Sequence, residues 1–411
     1  MGLIYNLLIH LVQLVLPIVA IFNSKIKEFV EGRKEVVNSL RNHFSKKDKV
    51  YWFHTASLGE YEQAIPVILA IKEKEPKRKI LISFFSPSGY RVKKGKSPAD
   101  LEVYLPLDTK KNAKQFFDAV HVEKAFFIKY EIWPNFLAEL HQRNIKTYLL
   151  SGLFRKNQLY FKAWGGFFRK ALSRFDYFFV QTNQSKGLLN SIGFENVTIS
   201  GDTRYDRVSQ QLEMDNQLDF VENFLGEQLC FVFGSSWPED EAVFIDYVNS
   251  HKAIKFIIAP HEISESNIRQ LQKKIKTTHI TYSNYNQQQA KEANVLILDT
   301  VGYLSKVYAY ASIAYVGGGM GTSGLHNILE PATFGIPILI GKNFSKFPEA
   351  KELQTYAGLF SVEDSNAFNE IAHKLVTEEK FRQQTGMIVG HFIQARVGAT
   401  EKIIEFISLN D

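Results

Sequence analysis

YVGGGMGTSGLHNILEPATFGIPILIG, Tyr315 to Gly341, decides the reading of this chain: an apolar strand, a turn on three consecutive glycines, a polar cluster of His326, Asn327 and Glu330, and a second apolar strand. Gly317, Gly318 and Gly319 carry no Cβ, so their amides can approach an anion. A helix following the turn would aim its positive N-terminal end at the same place. Glu330 falls near the start of that expected helix, where a carboxylate can accept hydrogen bonds from both hydroxyls of a ribose. A glycine turn alone can also serve only to pack a helix on a sheet. The added His, Asn and Glu favour a nucleotide.

Outward from this stretch, short apolar runs alternate with longer amphipathic ones. KVYWFHTAS, KILISFFS, KAFFIKYEIW, IKTYLLSGL, YFFVQT and VTISGD read as strands of a first half, with helices such as Glu60 to Lys74 and Ala113 to Val120 between them. LCFVFGSS, IKFIIAP, ANVLILD, ASIAYVGGG and IPILIG read as strands of a second half, with helices Glu239 to Ser250 and Ser264 to Lys276. Such alternation implies α/β architecture, two doubly wound parallel sheets covered on both faces, with ligands at the carboxyl ends of the strands across a cleft.

At 411 residues the chain exceeds what one core usually serves. The expected division is a membrane-anchor helix over 1–24, an acceptor-binding Rossmann-like domain over 25–206, a polar linker over 207–228 and a nucleotide-sugar domain over 229–411. The last helix of that final domain is free to pack back on the N-terminal one. Hydrophobic residues at 45% and charged residues at 22% are globular values and exclude extensive disorder. The single cysteine, Cys230, excludes an intramolecular disulfide framework and a cysteine-based metal site; within LCFVFG it reads as a buried strand residue.

The net charge of +6 is unevenly placed. Residues 1 to 23 contain no Asp, Glu, Lys or Arg, whereas residues 24 to 49 carry eight basic against four acidic side chains. Leu3 to Phe22 approaches the roughly 30 Å hydrocarbon thickness as a helix, and the basic residues after it place the rest of the chain in the cytoplasm. The alternative is a helix packed on the protein's own surface. Basic residues gathered beside an anchor, with no stripe across a globular face, disfavour nucleic acid as a partner. Leu159 to Phe175, where aromatic and basic residues interleave, reads as core or as a second membrane-facing segment.

Polar residues of the first half gather at strand ends. His54, Ser57, Gly59 and Glu60 close the first strand and open a helix. Glu60 there either favours the helix dipole or acts as a general base with a raised pKa. Glu131, in the apolar run KYEIWPNF, either pairs with a basic neighbour or joins Glu60 in an active-site carboxylate pair. Ser86, Ser88 and Gly89 form a turn that can hold a sugar or phosphate, and the basic run at Arg91, Lys93, Lys94 and Lys96 follows.

Taken in order, HTASLGE, SPSG, LPLD, YEIWPN, GDTRYD, FGSSWPEDE, PHE and GGGMGTSGLHNILEP resemble the 3-deoxy-D-manno-octulosonic acid (Kdo) transferases of lipopolysaccharide synthesis, from the N-terminal anchor to about residue 350. The resemblance implies a two-domain GT-B glycosyltransferase that takes Kdo from CMP-Kdo, needs no metal or other cofactor, and adds it to a lipid A precursor at the cytoplasmic face of the inner membrane. It assigns Glu60 as the base acting on the acceptor hydroxyl and Glu131 as the second acidic residue, with His54, Ser57, Gly59, Ser86, Ser88 and Gly89 on the acceptor side. On the donor side it assigns Gly234, Ser235, Ser236 and Glu239, Pro260 and His261, the turn at Gly317 to Gly319, and His326, Asn327 and Glu330. Where many members carry arginine, Pro260 to Ser264 has none, which leaves His261 as a substitute. A direct displacement with one base implies inversion at the anomeric carbon. Two other readings stay open: a GT-B enzyme using a UDP-sugar, and a membrane-tethered nucleotide-binding protein without catalysis.

Overall fold

The structure is a computed structural model describing residues 2–409. It comprises two units: one runs up to Arg207 and resumes at Val397, and the other is Val208–Arg396.

The first unit holds seven strands: β1 (Val50–Thr55), β2 (Lys79–Phe84), β3 (Leu101–Tyr104), β4 (Val122–Ile128), β5 (Lys146–Gly152), β6 (Tyr177–Val180) and β7 (Val197–Ile199). They pair parallel in the order β3-β2-β1-β4-β5-β6-β7. Every residue of β1 is buried, because successive side chains enter different cores. Trp52 joins Leu81, Phe127 and Leu149 on one face, and Tyr51 and Phe53 join Ile80, Phe126 and Ile128 on the other. Strand order reverses between β1 and β4, the place where such sheets open a crevice at their carboxyl ends.

In the second unit, β8 (Cys230–Ser236), β9 (Lys255–Pro260), β10 (His279–Thr281), β11 (Val295–Ile297), β12 (Ile313–Val316), β13 (Ile338–Gly341) and β14 (Leu359–Val362) pair parallel in the order β10-β11-β9-β8-β12-β13-β14. Its reversal lies between β8 and β12. Cys230 is buried there, as a strand residue.

Three helices precede β1: α1 (Gly2–Ala20), α2 (Ser24–Lys34) and α3 (Val36–His43). By length and composition α1 could cross a membrane. Val36 and Leu40 of α3 enter the first core. Between β1 and β2 runs α4 (Leu58–Lys74), and the last helix, Ala399–Leu409, lays Ile403, Ile404 and Ile407 into the same apolar cluster as Ile65 and Ile68 of α4. Asp206 fixes its start, accepting from Gly398 N, Thr400 N and Thr400 Oγ1, each at 2.6 Å.

Three features differ from the sequence reading. Strands β3, β10 and β14 are additional; each has three or four residues, too few for a clear periodicity. The stretch 207–228 is largely helical, with Asp219–Leu225 placing Val221, Phe224 and Leu225 in the second unit's core. No long helix follows the glycine turn: Gly318 and Gly324, with φ of 87° and 95°, keep the chain out of a helix before Leu329, and after the single turn Leu329–Ala332 Gly335 takes a φ of 65°, a left-handed conformation that cannot continue a right-handed helix.

Candidate active site

Glu60 is the third residue of α4, directly after β1. Ser57 caps that helix, its Oγ accepting from Glu60 N at 3.4 Å, while Glu60 Oε2 accepts from Ala56 N at 2.5 Å. The exchange resembles a capping box, so the side chain expected to act as a base also helps to start the helix. Glu60 is only 5% exposed. Burial, and next the negative charge of Glu131, push its carboxyl up to about 8, with the Ala56 amide and the Lys129 ammonium acting the other way.

Glu131 lies in the loop after β4, behind Lys129 with its φ of 60°. Positive φ at a non-glycine residue costs energy and tends to mark functional loops. Glu131 Oε2 accepts from Trp133 Nε1 at 3.0 Å and faces His54 Nε2 at 3.5 Å, an ion-pair distance without hydrogen-bond geometry.

His54 occupies a different place from the one expected for acceptor binding. As a β1 residue it is fully buried, with Nδ1 2.9 Å from Ser83 Oγ, so it backs Glu131 and does not face a ligand. Gly89 is likewise buried, where an added Cβ would meet Phe84 and Leu58 N, so it packs a helix start. Ser57, Gly59 and Ser88 are exposed, and Ser86 Oγ lies 2.7 Å from Ser88 Oγ at the end of β2. Of the basic run beyond, Arg91 pairs with Glu28 and Lys93 with Glu62.

In the second unit the candidate donor residues come together at the ends of β8, β9 and β12. At Gly317 and Gly318 the turn corrects the expectation of amides turned toward an anion. Gly317 N donates to Gly234 O at 2.9 Å, and Gly318 N donates to the buried carboxylate of Asp240 at 2.7 Å. A Cβ at Gly317 would fall 2.3 Å from Ser235 O, so the glycine permits a close backbone approach. Asp240 also accepts from Trp237 N at 3.0 Å and Tyr315 Oη at 2.9 Å, fixing the turn to the helix Pro238–Ser250.

Glu239, next to it, is exposed and lies beside Gly321. Ser235 takes a φ of 53° at a break in the β8 ladder, Ser236 is buried, and Pro260 ends β9. His261 stacks on Trp237 with ring centroids 4.7 Å apart, and His326 lies 4.4 Å from His261. Trp237 Nε1 approaches His326 Nε2 at 3.1 Å. Indole can only donate, so Nε2 is the acceptor and Nδ1 carries the proton of a neutral imidazole. Burial, then the proximity of His261, hold His326 down at about 4, in agreement with a neutral ring. Asn327 Nδ2 donates to Glu330 Oε1 at 3.2 Å, holding that carboxylate beside the turn.

Sequence reasoning missed Trp237, Asp240 and Ser83. Asp240 had a signal: the third position of a helix opened by proline at its first turn is where a carboxylate reaches back to free amides. Ser83 had none, because its role depends on the alignment of β1 with β2, which pairs it with His54.

Residues 31–207 match the family model described as 3-deoxy-D-manno-octulosonic-acid transferase (kdotransferase). The chain is 26% identical over 374 residues to a bifunctional glycosyltransferase/methyltransferase of Fusobacterium nucleatum, covering 87% of this chain but 56% of that protein. It is 25% identical over 371 residues to a 3-deoxy-D-manno-octulosonic acid transferase of Haemophilus influenzae, covering 87% and 86% of the two. Among solved structures, a UDP-GlcNAc 2-epimerase from Neisseria meningitidis superposes with a TM-score of 0.61 at 16% identity, over 88% of this chain and 100% of that one, which shows the fold alone. The likeness to the Kdo transferases therefore extends over most of the chain. The fold is of GT-B type, with two Rossmann-like units and an N-terminal apolar helix, and the relatives indicate a glycosyltransferase.

Proposed function

We propose that this protein moves Kdo from CMP-Kdo to a lipid A precursor, lipid IVA, at the cytoplasmic face of the inner membrane, with inversion and with no metal ion in the step. The observation that carries the proposal is Glu60, an almost fully buried carboxyl at the strand-order reversal, held at about 8 beside Glu131. A base whose pKa sits near the working pH is ionised often enough to act and basic enough to take a proton. As the acceptor oxygen bonds to the anomeric carbon, its proton passes to Glu60. The bond from that carbon to the CMP phosphate oxygen breaks, and the electron pair leaves on the phosphate. Positioned donors are what such a leaving group requires, and the Nδ1–H of a neutral His326 is one such donor. Glu330 is assigned to the ribose hydroxyls, and Ser57, Ser86 and Ser88 to the acceptor sugar.

The test is incubation of the purified protein with CMP-Kdo and a tetraacylated lipid A precursor, followed by mass spectrometry of the lipid. A lipid heavier by one or more Kdo units is expected; an unchanged lipid with active CMP-Kdo present overturns the proposal. The missing arginine between Pro260 and Ser264 favours a second reading, a UDP-sugar donor, which a donor screen in the same assay distinguishes.

A further inference from the structure

α1 is held against the first unit at its two ends, with residues 10–15 between them exposed. Its less exposed positions, Gly2, Tyr5, Asn6, Ile9, Leu16 and Ala20, recur at helical spacing and form one stripe. At the N-terminal end, Tyr5 Oη donates to Asp108 Oδ2 at 2.6 Å, Asn135 Nδ2 donates to Asn6 Oδ1 at 2.9 Å, and the Tyr5 ring lies 5.3 Å from that of Phe167. At the other end the chain turns directly into α2, which is bound in turn. Arg33 donates to Phe85 O at 2.7 Å and to Leu105 O at 2.8 Å, and Phe29 meets Phe85 at 5.3 Å.

This geometry conflicts with a transmembrane span. Crossing would carry Tyr5 about 30 Å away through hydrocarbon from the unit that holds α2. It would also strip Asp108, a fully buried carboxylate, of the Tyr5 hydroxyl and take the Asn135 amide away from Asn6 Oδ1. The other faces of α1 are nonetheless strongly apolar and exposed: Leu3 is 89% exposed and Leu14 72%, and Phe22 just beyond the helix is exposed as well. Trp164, 62% exposed, adjoins the Phe167 and Phe168 that Tyr5 touches, so the aromatic segment at 159–175 and α1 form one apolar surface. Its flanks are basic: no acidic residue precedes Glu28, while Lys25, Lys27 and Lys170 are exposed.

We propose that α1 lies in the plane of the membrane, its outer face and Trp164 embedded at the headgroup boundary of an anionic lipid leaflet. The same bonds join this surface to the catalytic segment. Asp108 accepts from the Asn135 and Phe136 amides that open the helix Pro134–Gln142, which begins three residues beyond Glu131. Docking on lipid thus sets the height of Glu131 above the leaflet. The proposal deepens the transferase reading, on which it rests only for the lipid nature of the acceptor.

The test uses the full-length protein with single environment-sensitive probes on Leu3→Cys, Val12→Cys and Phe22→Cys, added to preformed phosphatidylglycerol/phosphatidylethanolamine vesicles, the native Cys230 being buried. Lipid-borne quenchers at graded depths are expected to place all three probes at one shallow depth, each reachable by an impermeant reagent from outside. Salt is expected to weaken binding, and Trp164→Ser to lower partitioning. A probe at residue 12 deepest with residue 3 protected would mean a span, and α1-dependent self-association without vesicle binding would mean a second copy; either overturns the proposal. The readout is depth, so a protein that binds in plane yet transfers no Kdo overturns only the function.

Discussion

His54 Nε2 stands 3.5 Å from Glu131 Oε2, at the end of a buried chain of donors. Trp52 Nε1 donates to Ser83 Oγ at 2.8 Å, which leaves the Ser83 hydroxyl proton for His54 Nδ1 at 2.9 Å. The imidazole proton is then on Nε2, the ring nitrogen nearest the carboxylate that Trp133 also approaches, though without hydrogen-bond geometry to it. Strand alignment thereby orients the second acidic residue.

Transfer should increase with pH until Glu60 is ionised, levelling off above about 8. Glu60→Gln should lower the rate by about 10² to 10⁴ while leaving the fold intact. Glu131→Gln removes the neighbouring negative charge and should move the inflection to lower pH. Initial-rate profiles of the three proteins decide this; a flat wild-type profile from pH 6 to 9 would count against Glu60 as base.

Stability should carry the same signature. The folded value near 8 lies above the ordinary 4.5, so the folded state binds the extra proton between them. The contribution of Glu60 is complete below about 4.5 and is lost as pH rises through about 8. Glu60→Gln should therefore flatten the fall in urea midpoint between about pH 4.5 and 8.

Ser83→Ala leaves the fully buried Trp52 indole N–H without its acceptor, at a cost of about 1 to 3 kcal/mol. Urea unfolding measures it. Transfer should fall as well, because the His54 tautomer is no longer fixed, and a variant as active as wild type would refute the positioning role.

Trp237→Phe retains a ring on His261 but removes the donor to His326 Nε2. Nitrogen-15 spectra of the histidines should show His326 as the Nδ1–H tautomer in the wild type and as a mixture in the variant. His326, held at about 4 against an ordinary 6.5, should cost stability as pH falls through that interval, because the unfolded chain takes the proton first.

Asp240→Ala orphans the amides of Gly318 and Trp237 and the Tyr315 hydroxyl together. A loss of about 3 kcal/mol or more is expected in urea unfolding, with weaker CMP binding by calorimetry. Stability within about 0.5 kcal/mol of wild type would show that the carboxylate does not hold the turn.

The strands that were legible in the sequence are the long apolar ones, such as β1 and β8, because parallel strands buried on both faces leave uninterrupted runs. Strand β3 was not: Leu101 and Glu102 are half-buried at a sheet edge, and four residues give no period. Glu60 and Glu131 stood out because carboxylates are rare in such apolar settings. His54 misled for the complementary reason. A polar residue in a strand buried on both faces is itself buried, and its partner, Ser83, lies 29 positions away. Which of the adjacent acids Glu239 and Asp240 turns inward was a matter of helix phase, set only once Pro238 begins the helix and the glycine turn is brought to it.

Because the first unit closes with Val397 onward, the ribosome must translate the whole second unit before Asp206 meets Gly398 and Thr400. Until then the apolar flank of α4 that receives Ile403 and Ile407 stays bare, a hydrophobic signal that chaperones and proteases recognise in nascent chains. Messages truncated before codon 397 would accordingly yield products marked for destruction, even with Glu60, Glu131 and His326 already translated.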